Sequence, residues 1–259
     1  MLLSKPKLIR GGVRTESRKH PTADSPLQPI QPPARLYISL AQHIGAPALP
    51  VVKAGERVLQ GQLIGQPDAG LSAAVHSPTS GTVVAITSHP APHPSGLPVS
   101  TIVIAADGQR EWDPHLPRPL TNPAEQLDRE LIGQRVAAAG IVGMGGAAFP
   151  AAVKLAPNGT VATLIVNGGE CEPYLTCDDR LMRERAAGIV DGAQLMAHAL
   201  GASRTAIGIE DNKPAAVHAM QRAAEYLGGA EVIPVPSLWP QGSEKHLISA
   251  LTGREVPAG

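Results

Sequence analysis

Two glycine-rich segments on either side of a short apolar run constrain this chain more than any other feature. The first, Gly140-Ile-Val-Gly-Met-Gly-Gly-Ala-Ala-Phe-Pro150, is followed by Lys154. The run Val161-Ala-Thr-Leu-Ile-Val166 is typical of a buried strand and leads into the second, Asn167-Gly-Gly-Glu-Cys-Glu-Pro-Tyr174. A glycine loop that enters a helix exposes backbone N–H groups to phosphate, and open α/β sheets bind ligands at the carboxyl ends of their strands. The pattern predicts a nucleotide site.

The first segment also matches the dinucleotide fingerprint G-x-G-x-x-A at Gly143-Met-Gly-Gly-Ala-Ala148. That fingerprint requires a strand before the glycines, whereas here a helical pattern precedes them and starts at Asn122-Pro-Ala-Glu125. We therefore predict the order helix, glycine loop, helix, strand. A plain turn or close helix packing is the alternative explanation for the glycines. Four glycines within seven residues, close to the chain's only phenylalanine (Phe149), favour a binding site.

Residues 35–106 contain short apolar runs separated by glycines and prolines, which predicts a small all-β sandwich or barrel. Within them, Val51-x-x-Gly55-Glu-x-Val58-x-x-Gly61-Gln62 and Pro78-x-x-Gly81-Thr-Val83 resemble a biotinyl or lipoyl carrier domain. We therefore expect a barrel-sandwich hybrid. Those carriers modify a lysine at a hairpin tip, and no lysine lies between Lys53 and Arg110. Swinging-arm chemistry is excluded, which leaves a docking or structural role.

The glycine segment and Asn167-Gly-Gly-Glu-Cys-Glu-Pro173 together resemble the flavin and NADH module of the respiratory complex I 51-kDa subunit. With its N-terminal segments included, the chain is similar to the C subunit of the Rnf electron transport complex from about Gly11 to the end. In that family Gly11-Gly12-Val13 would be followed by a His-Pro-Pro run, but Arg14-Thr15-Glu16 stands here, so no role of that histidine is transferred.

This resemblance implies a peripheral subunit on the cytoplasmic side of the bacterial inner membrane. Such a subunit would transfer electrons between NAD(H) and iron–sulfur carriers through FMN, within an ion-translocating ferredoxin:NAD(+) oxidoreductase. Its partners would be the other subunits of the membrane complex, NADH and a ferredoxin-like redox protein. The alternative is a non-catalytic docking or scaffold fragment of the same complex.

By resemblance, the contacts to FMN and NAD(H) come from glycines, one lysine, one aromatic ring, amides and carboxylates: Gly143, Gly145, Gly146, Phe149, Lys154, Asn167, Glu170, Glu172, Asn212, Gly242 and Glu244. The first three glycines would offer N–H groups to the FMN phosphate, to which Lys154 adds a charge, and Asn167 would bond the flavin. Phe149 and Glu172 would hold the nicotinamide nucleotide, with Glu170 beside them. No catalytic residue and no metal ligand is assigned.

The sequence departs from the family patterns in several places. Gly169 replaces an aspartate and Met144 replaces an arginine, which predicts weaker flavin and nucleotide binding. Ser243 replaces the first glutamate of a Gly-Glu-Glu segment, and a helix cap at this position explains the residues equally well. The family continues with 4Fe–4S-binding cysteine runs that this chain does not contain. We therefore expect the flavin domain to be truncated at its C-terminus, and the activity of this chain alone stays open.

The C-terminal half has the alternation of an α/β domain, so we expect a Rossmann-like parallel sheet. A helical pattern over 181–200 stops at Gly201, and strands are predicted over 205–209 and 231–235. Asp211 or Asn212 is the expected cap of the helix between those strands. After the strand predicted over 231–235, Gly242 or Ser243 would cap a last helix.

The predicted domain organisation is a basic irregular arm (1–34), the β domain (35–106), a proline-rich linker (107–121) and the flavin/NADH-binding α/β domain (122–259). The simplest expectation for the arm is a solvated segment, and the functional alternative is docking to an acidic partner or an anionic membrane face. The 22 basic and 22 acidic side chains balance, so no nucleic-acid surface is expected.

The remaining reactive side chains predict little chemistry of their own. Cys171 and Cys177 form no metal or disulfide motif and are expected to be small loop or core residues. His43 and His76 are expected to make loop or core hydrogen bonds, with metal binding as a minor alternative. The start of the chain lacks the apolar region of a secretory signal, and the uncharged stretch 136–153 is too rich in glycine for a lipid-facing helix.

Overall fold

The structure is a computed structural model that describes residues 6–7, 11–91, 95–117, 128–144 and 148–257. Its backbone contacts divide the chain into two units. The β unit is Ile30–Asn158, and the α/β unit combines Met1–Pro29 with Gly159–Gly259. The predicted linker is described only over 107–117, so the domain boundary within 107–121 stays a prediction.

The β unit contains seven short strands in two antiparallel sheets. The strands are β1 (Arg35–Ser39), β2 (Leu49–Pro50), β3 (Arg57–Val58), β4 (Leu63–Gln66), β5 (Val75–His76), β6 (Gly81–Pro90) and β7 (Pro98–Ala106). One sheet has the order β1-β7-β6-β3 and the other the order β2-β4-β5. Short strands separated by turns were expected here, and the structure confirms them.

Aliphatic side chains from both sheets form the core of the β unit. Leu40, Val58, Ile64, Val83 and Ile104 are completely buried in one cluster. Each such side chain contributes on the order of 1.5–3 kcal/mol when it leaves water. Because the chain has almost no aromatic residues, branched aliphatic side chains supply this volume.

The β unit also contains the start of the predicted linker and two helices. Gln60 exchanges backbone hydrogen bonds with Glu111 and Asp113, which fixes the first part of the predicted linker to the sheets. Helix α1 (Arg129–Ala138) is capped by the side chain of Asp128. The glycine segment follows and leads into α2 (Ala151–Lys154), a single turn. The predicted helix start at 122–125 lies outside the described residues.

The α/β unit is built on three parallel strands in chain order: β8 (Thr163–Gly168), β9 (Arg204–Glu210) and β10 (Glu231–Val235), with β9 in the middle. Its helices are α3 (Cys177–Glu184), α4 (Ala186–Leu200), α5 (Pro214–Leu227) and α6 (Glu244–Thr252). The predicted order of helix, glycine loop, helix and strand is therefore confirmed over the described residues.

The side chains of β9 alternate between two cores, which explains the layering of this unit. Ile207 and Ile209 pack with residues of α3, α4 and α5, whereas Ala206 packs on the other face with Leu247 and Leu251 of α6. The neighbouring Gly208 leaves room for this helix, because a Cβ there would lie 2.7 Å from Leu247 Cδ1. Helices thus cover both faces, and the carboxyl ends of the strands stay open.

Two details of the predicted helices were wrong. The pattern over 181–200 is two helices that meet at Arg185, whose backbone dihedrals (φ −128°, ψ 26°) are not helical. Neither Asp211 nor Asn212 caps α5: the cap position is Lys213, and Asn212 instead donates to Ser237 Oγ. Gly201 ends α4 in the left-handed conformation, as predicted, and Ser243 occupies the cap position of α6.

Candidate functional site

Polar loops surround the carboxyl ends of the three parallel strands in the α/β unit, and two cavities lie among them. The larger, which we call the strand-end cavity, measures about 400 Å³ and has Lys19, Glu170 and Asn212 in its lining. The smaller, the loop cavity, measures about 270 Å³ and is bordered by Glu172 and Gly242. Both have Cys171 and Trp239 in their walls. Ligands of open α/β sheets bind at this edge.

Beneath the strand-end cavity lies a buried cluster of charged side chains. Glu210 at the end of β9 and Lys213 at the start of α5 form an ion pair, with side chains 2% and 3% exposed. Glu170 is also buried, and Lys19 from the N-terminal arm lies 3.5 Å from its Oε2 atom. Both carboxylates thus have an ammonium partner, as buried charges require.

The Glu170 carboxylate also organises the start of α3. Its Oε1 atom accepts hydrogen bonds from the backbone N–H of Asp178 at 2.8 Å and from the Cys177 thiol at 3.4 Å. Burial, and then repulsion from Glu170, raises the pKa of Asp178. Ligand atoms of Glu170, Cys177 and Asp178 lie within 4.8 Å of one another, but the Lys19 ammonium already supplies a positive charge to Glu170. We therefore assign no metal to this group.

Cys171 connects the ends of all three strands. Its thiol donates to Glu210 Oε1 at 3.0 Å, and its Sγ accepts the N–H of Gly242 at 3.1 Å. Burial, together with the hydrogen bond to Glu210, raises the pKa of the thiol to about 11. Cys171 is therefore a neutral hydrogen-bond donor near pH 7. The expectation of a small loop or core thiol is confirmed for this residue.

Two glycines let the loops that follow β8 and β10 approach each other closely. A Cβ on Gly169 would lie 2.8 Å from the Cα of Gly242, and a Cβ on Gly242 would lie 2.8 Å from Cys171 Sγ. Asn167 joins the same loops, since its Nδ2 donates to Gly242 O at 2.7 Å and its Oδ1 accepts Gly169 N–H at 2.9 Å. Gly169 and Gly242 therefore line the loop cavity with backbone atoms alone.

The structure therefore gathers several predicted site residues around this edge. Glu170 and Asn212 line the strand-end cavity, and Glu172 and Gly242 line the loop cavity. Glu244 lies in the first turn of α6, with an exposed side chain. Glu172, Asn212, Gly242 and Glu244 are accessible to a ligand, whereas Glu170 is buried, and the contacts of all five to FMN and NAD(H) stay a prediction.

The predicted residues of the glycine segment belong to the β unit, and Gly145 and Gly146 lie outside the described residues. The N–H of Gly143 donates to Phe149 O at 2.9 Å, so the described ends of the segment pair with each other. The ammonium of Lys154 lies 5.6 Å from the centroid of the Phe149 ring, within the range of a cation–π contact. The phosphate contacts proposed for these residues stay predictions.

Sequence reasoning missed the charged residues below the cavity. Glu210 and Lys213 directly follow a strand that the sequence does predict, so their position at the end of β9 was an available signal. Lys19 gave no such signal, because it lies 151 residues before Glu170 in the chain. Trp239 borders both cavities and was not predicted as a site residue.

Two histidines of the β unit, His43 and His76, make the hydrogen bonds that the sequence led us to expect. His43 Nε2 accepts the N–H of Ala73 at 3.1 Å, and its Nδ1 lies 3.2 Å from Ile44 O. Burial lowers the pKa of His76, although a bond to the backbone of Ala138 opposes this effect. Neither histidine belongs to a potential metal-binding group among the described residues.

No helix in the described part of the chain has the length and apolar character needed to span a membrane.

Comparisons with known proteins give the same picture for both halves of the chain. The family model described as the RnfC barrel sandwich hybrid domain matches residues 7–109, and the one described as the Nuo51 FMN-binding domain matches residues 136–259. The first match agrees with the two-sheet β unit. The second covers the strands and loops around the two cavities.

Curated relatives match almost the whole chain. The C subunit of an ion-translocating oxidoreductase complex from Rhodobacter capsulatus is 52% identical over 96% of this chain and 48% of its own length. The protein of the same name from Pseudomonas aeruginosa is 46% identical over 96% of this chain and 32% of its own. The C subunit of a proton-translocating ferredoxin:NAD(+) oxidoreductase complex from Clostridium ljungdahlii is 45% identical over 98% of this chain and 55% of its own length. The chain thus spans about half the length, or less, of these relatives.

Among solved structures, an NAD(+)-reducing NiFe-hydrogenase in its H2-reduced state is similar to 52% of this chain and 28% of that chain. The sequence identity is 27% and the TM-score is 0.43.

Proposed function

Because the chain belongs to the family of C subunits of Rnf-type ion-translocating oxidoreductase complexes, we propose that it carries the FMN- and NAD(H)-binding part of such a protein. In this proposal the α/β unit is Rossmann-like and binds the cofactors, and the β unit docks other subunits. The complex passes electrons between NAD(H) and iron–sulfur carriers, and this protein lies peripherally on the cytoplasmic face of the inner membrane.

One observation carries the cofactor proposal: the polar strand-end cavity and its neighbour, the loop cavity, lie where the FMN-binding family model matches. A volume of about 400 Å³ falls within the roughly 300–1,000 Å³ of ligand pockets. Gly169 and Gly242 line the loop cavity without adding side chains to it, which leaves room beside them for a planar ring. The residues present therefore fit a flavin mononucleotide.

When bound, FMN accepts a hydride from NADH and releases single electrons. The protein's part is to orient the cofactor rings and to neutralise the phosphate charge. Asn212 and the backbone of Gly169 and Gly242 would position polar and planar portions of the cofactor. Glu172 at the loop cavity would hold the nicotinamide nucleotide. The contact of Lys154 and the glycine segment with the phosphate is carried over from the sequence resemblance alone.

Asn167 has a different role in this proposal from the one first expected. Its amide already uses one donor and one acceptor within the protein, on Gly242 and Gly169. A side-chain amide keeps further capacity for hydrogen bonds, so contact with the flavin is still chemically available. The larger effect of Asn167 would come from holding the two loops at their observed separation.

The test is a titration of the purified chain with FMN, followed by flavin fluorescence and then by addition of NADH. We expect saturable quenching that Asn212→Ala, Asn167→Ala and Lys154→Ala each weaken about three- to tenfold, the value of one hydrogen bond or more. Glu172→Gln is expected to affect NADH more than FMN. Glu225→Gln, an exposed carboxylate on α5, is the matched control.

A folded chain without flavin quenching would contradict cofactor binding by this chain and would favour the docking alternative. If the parent and the Asn212, Asn167 and Lys154 variants bind FMN with equal affinity, the flavin binds elsewhere. Circular dichroism of each variant distinguishes these results from loss of structure.

A further inference from the structure

The N-terminal arm crosses the carboxyl edge of the parallel sheet instead of extending into solvent. We propose that its residues 13–19 form a wall of the nucleotide site and that Lys19 is a positioning residue for the loop that carries Glu170 and Glu172. This inference rests on the proposed function for its ligand. Its structural part can be tested without any ligand.

Lys19 provides the central contact. Its Nζ atom donates to three backbone carbonyl groups: Glu170 O at 2.8 Å, Glu172 O at 3.0 Å and Leu175 O at 2.6 Å. The same ammonium lies 3.5 Å from Glu170 Oε2, an atom that has no hydrogen-bond partner among the described residues. The side chain is 13% exposed.

An ammonium group suits this position for a simple chemical reason. Lysine carries three N–H donors and a full positive charge, so it can satisfy three acceptors at once. Carbonyl dipoles that converge on one point repel each other unless a cation lies between them. The conformation of residues 170–175 therefore depends on a charge supplied from outside the loop.

The arm holds the same loop at a second point, Tyr174. This residue has a φ of 70°, a left-handed conformation that is uncommon for a side chain of this size. Its N–H donates to Ser17 O at 3.0 Å, and its hydroxyl accepts from Arg18 at 3.1 Å. Thr22 Oγ1 lies 3.4 Å from the Tyr174 carbonyl oxygen. The arm thus supports a backbone conformation that would otherwise be unfavourable.

The other end of the crossing is fixed to the loop after β10. Val13 and Trp239 exchange two backbone hydrogen bonds, of 2.9 and 2.8 Å, as an isolated antiparallel bridge. Between this bridge and Lys19, the arm contributes Arg14, Thr15 and Ser17 to the lining of the strand-end cavity. The arm therefore ties the loop that carries Glu172 to the loop that leads to Gly242.

Lys213 also approaches this loop, yet it does not replace Lys19. Its ammonium lies 3.4 Å from Glu170 O, but its main partner is the carboxylate of Glu210. Among the described residues, the carbonyl groups of Glu172 and Leu175 have an ammonium contact only with Lys19. Removal of Lys19 should therefore loosen residues 170–176 while the sheet stays intact.

The experiment measures hydrogen exchange of residues 170–178 in the ligand-free chain, with Lys19→Met, Lys19→Ala and the control Lys53→Met, an exposed lysine of the β unit. We expect exchange in this segment to be roughly tenfold faster, or more, in both Lys19 variants, and unchanged in the control. Propylammonium replaces the part of the side chain that Lys19→Ala removes. It should restore protection, whereas potassium chloride at equal ionic strength should not.

The FMN titration then links the loop to the ligand. We expect the Lys19 variants to bind FMN about tenfold more weakly, with recovery by propylammonium in Lys19→Ala. Unchanged exchange at 170–178, or faster exchange that the amine does not reverse, would overturn the positioning role. If the parent chain itself binds no FMN while the exchange results hold, the proposed function fails and the role of Lys19 in the loop stands. Should Lys19→Met not fold, Lys19→Gln, which keeps an amide donor, takes its place.

Discussion

Replacement of Lys213 by methionine tests the buried charge cluster most directly. The Lys213 and Glu210 side chains are almost fully buried, and the ion pair joins the end of β9 to the start of α5. Methionine preserves much of the volume and removes the charge. Among the residues that the structure describes, the Glu210 carboxylate would then keep only the Cys171 thiol and the Glu170 N–H as donors. Breaking a buried pair in this way costs about 3–5 kcal/mol of the free energy of unfolding.

The loss of unfolding free energy in Lys213→Met should depend on pH, and the pKa of Glu210 decides whether the loss grows or shrinks as the pH falls. Burial is the largest influence and raises this pKa, but hydrogen bonds from Lys213 and Cys171 and the charge of Lys213 outweigh it, so the net pKa is lowered. In the parent, the contribution of Glu210 is present above its unfolded pKa of about 4.3 and is lost as the pH falls through the lower folded value. Without Lys213, burial prevails and the folded pKa rises above the unfolded one. The variant can then bind a proton as the pH falls, so its deficit shrinks.

Urea unfolding followed by tryptophan fluorescence measures this deficit in one unit. The two tryptophans lie in different units, so Trp112→Phe leaves Trp239 as a reporter of the α/β unit. We expect a loss of about 3–5 kcal/mol near pH 7 and a clearly smaller loss near pH 5. Lys245→Met, an exposed lysine of α6, should change stability by less than about 0.5 kcal/mol.

A double variant tests whether the two buried charges compensate each other. Lys213→Met with Glu210→Gln removes both charges and should recover most of the loss. A loss in Lys213→Met below about 1 kcal/mol at pH 7, or one that does not change with pH, would refute the conclusion that the pair is buried and mutually compensating.

Two further predictions concern backbone geometry and thiol chemistry. Gly140→Ala should destabilise the β unit by about 2 kcal/mol or more in thermal unfolding, because Gly140 has a φ of 63° and a Cβ would lie 2.1 Å from Ala74 O. Gly108→Ala, with a φ of 74° and no atom within 4 Å of the added Cβ, should cost only about 1 kcal/mol, and equal losses would contradict the steric argument. In alkylation followed by mass spectrometry near pH 8, exposed Cys177 should react well before Cys171, whose pKa is about 11. Faster labelling of Cys171 would contradict its hydrogen bond to Glu210.

The sequence predicts most strands and helices of the α/β unit because their apolar patterns are local. The run 205–209 lies within β9, and Gly201 ends α4 through its own backbone preference. The break at Arg185 between α3 and α4 escapes such reasoning, because helix-forming residues continue through it. The interruption is a non-helical backbone conformation at one residue, Arg185, and the side chains of both helices pack in the same core cluster, so no local pattern marks it.

The candidate site is predictable only in part for a similar reason. Glu170, Glu172 and Gly242 stand in segments whose composition is unusual, so the sequence points to them directly. The partners that make these segments rigid are ordinary residues from elsewhere in the chain. Lys19 is one of several lysines and arginines in a basic arm, and only the three-dimensional arrangement brings its ammonium to the Glu170 loop.

The α/β unit is assembled from the two ends of the described chain, and this has a consequence for its synthesis. Lys19 leaves the ribosome 151 residues before Glu170, which corresponds to roughly 8–30 s at ordinary translation rates. During that interval the β unit can fold, while the arm has no parallel sheet on which to dock. The nascent arm is therefore open to chaperones and proteases until the strands of the second half emerge. Any protein expressed from residue 30 onward would contain every strand and helix of the described residues but neither Lys19 nor the bridge from Val13.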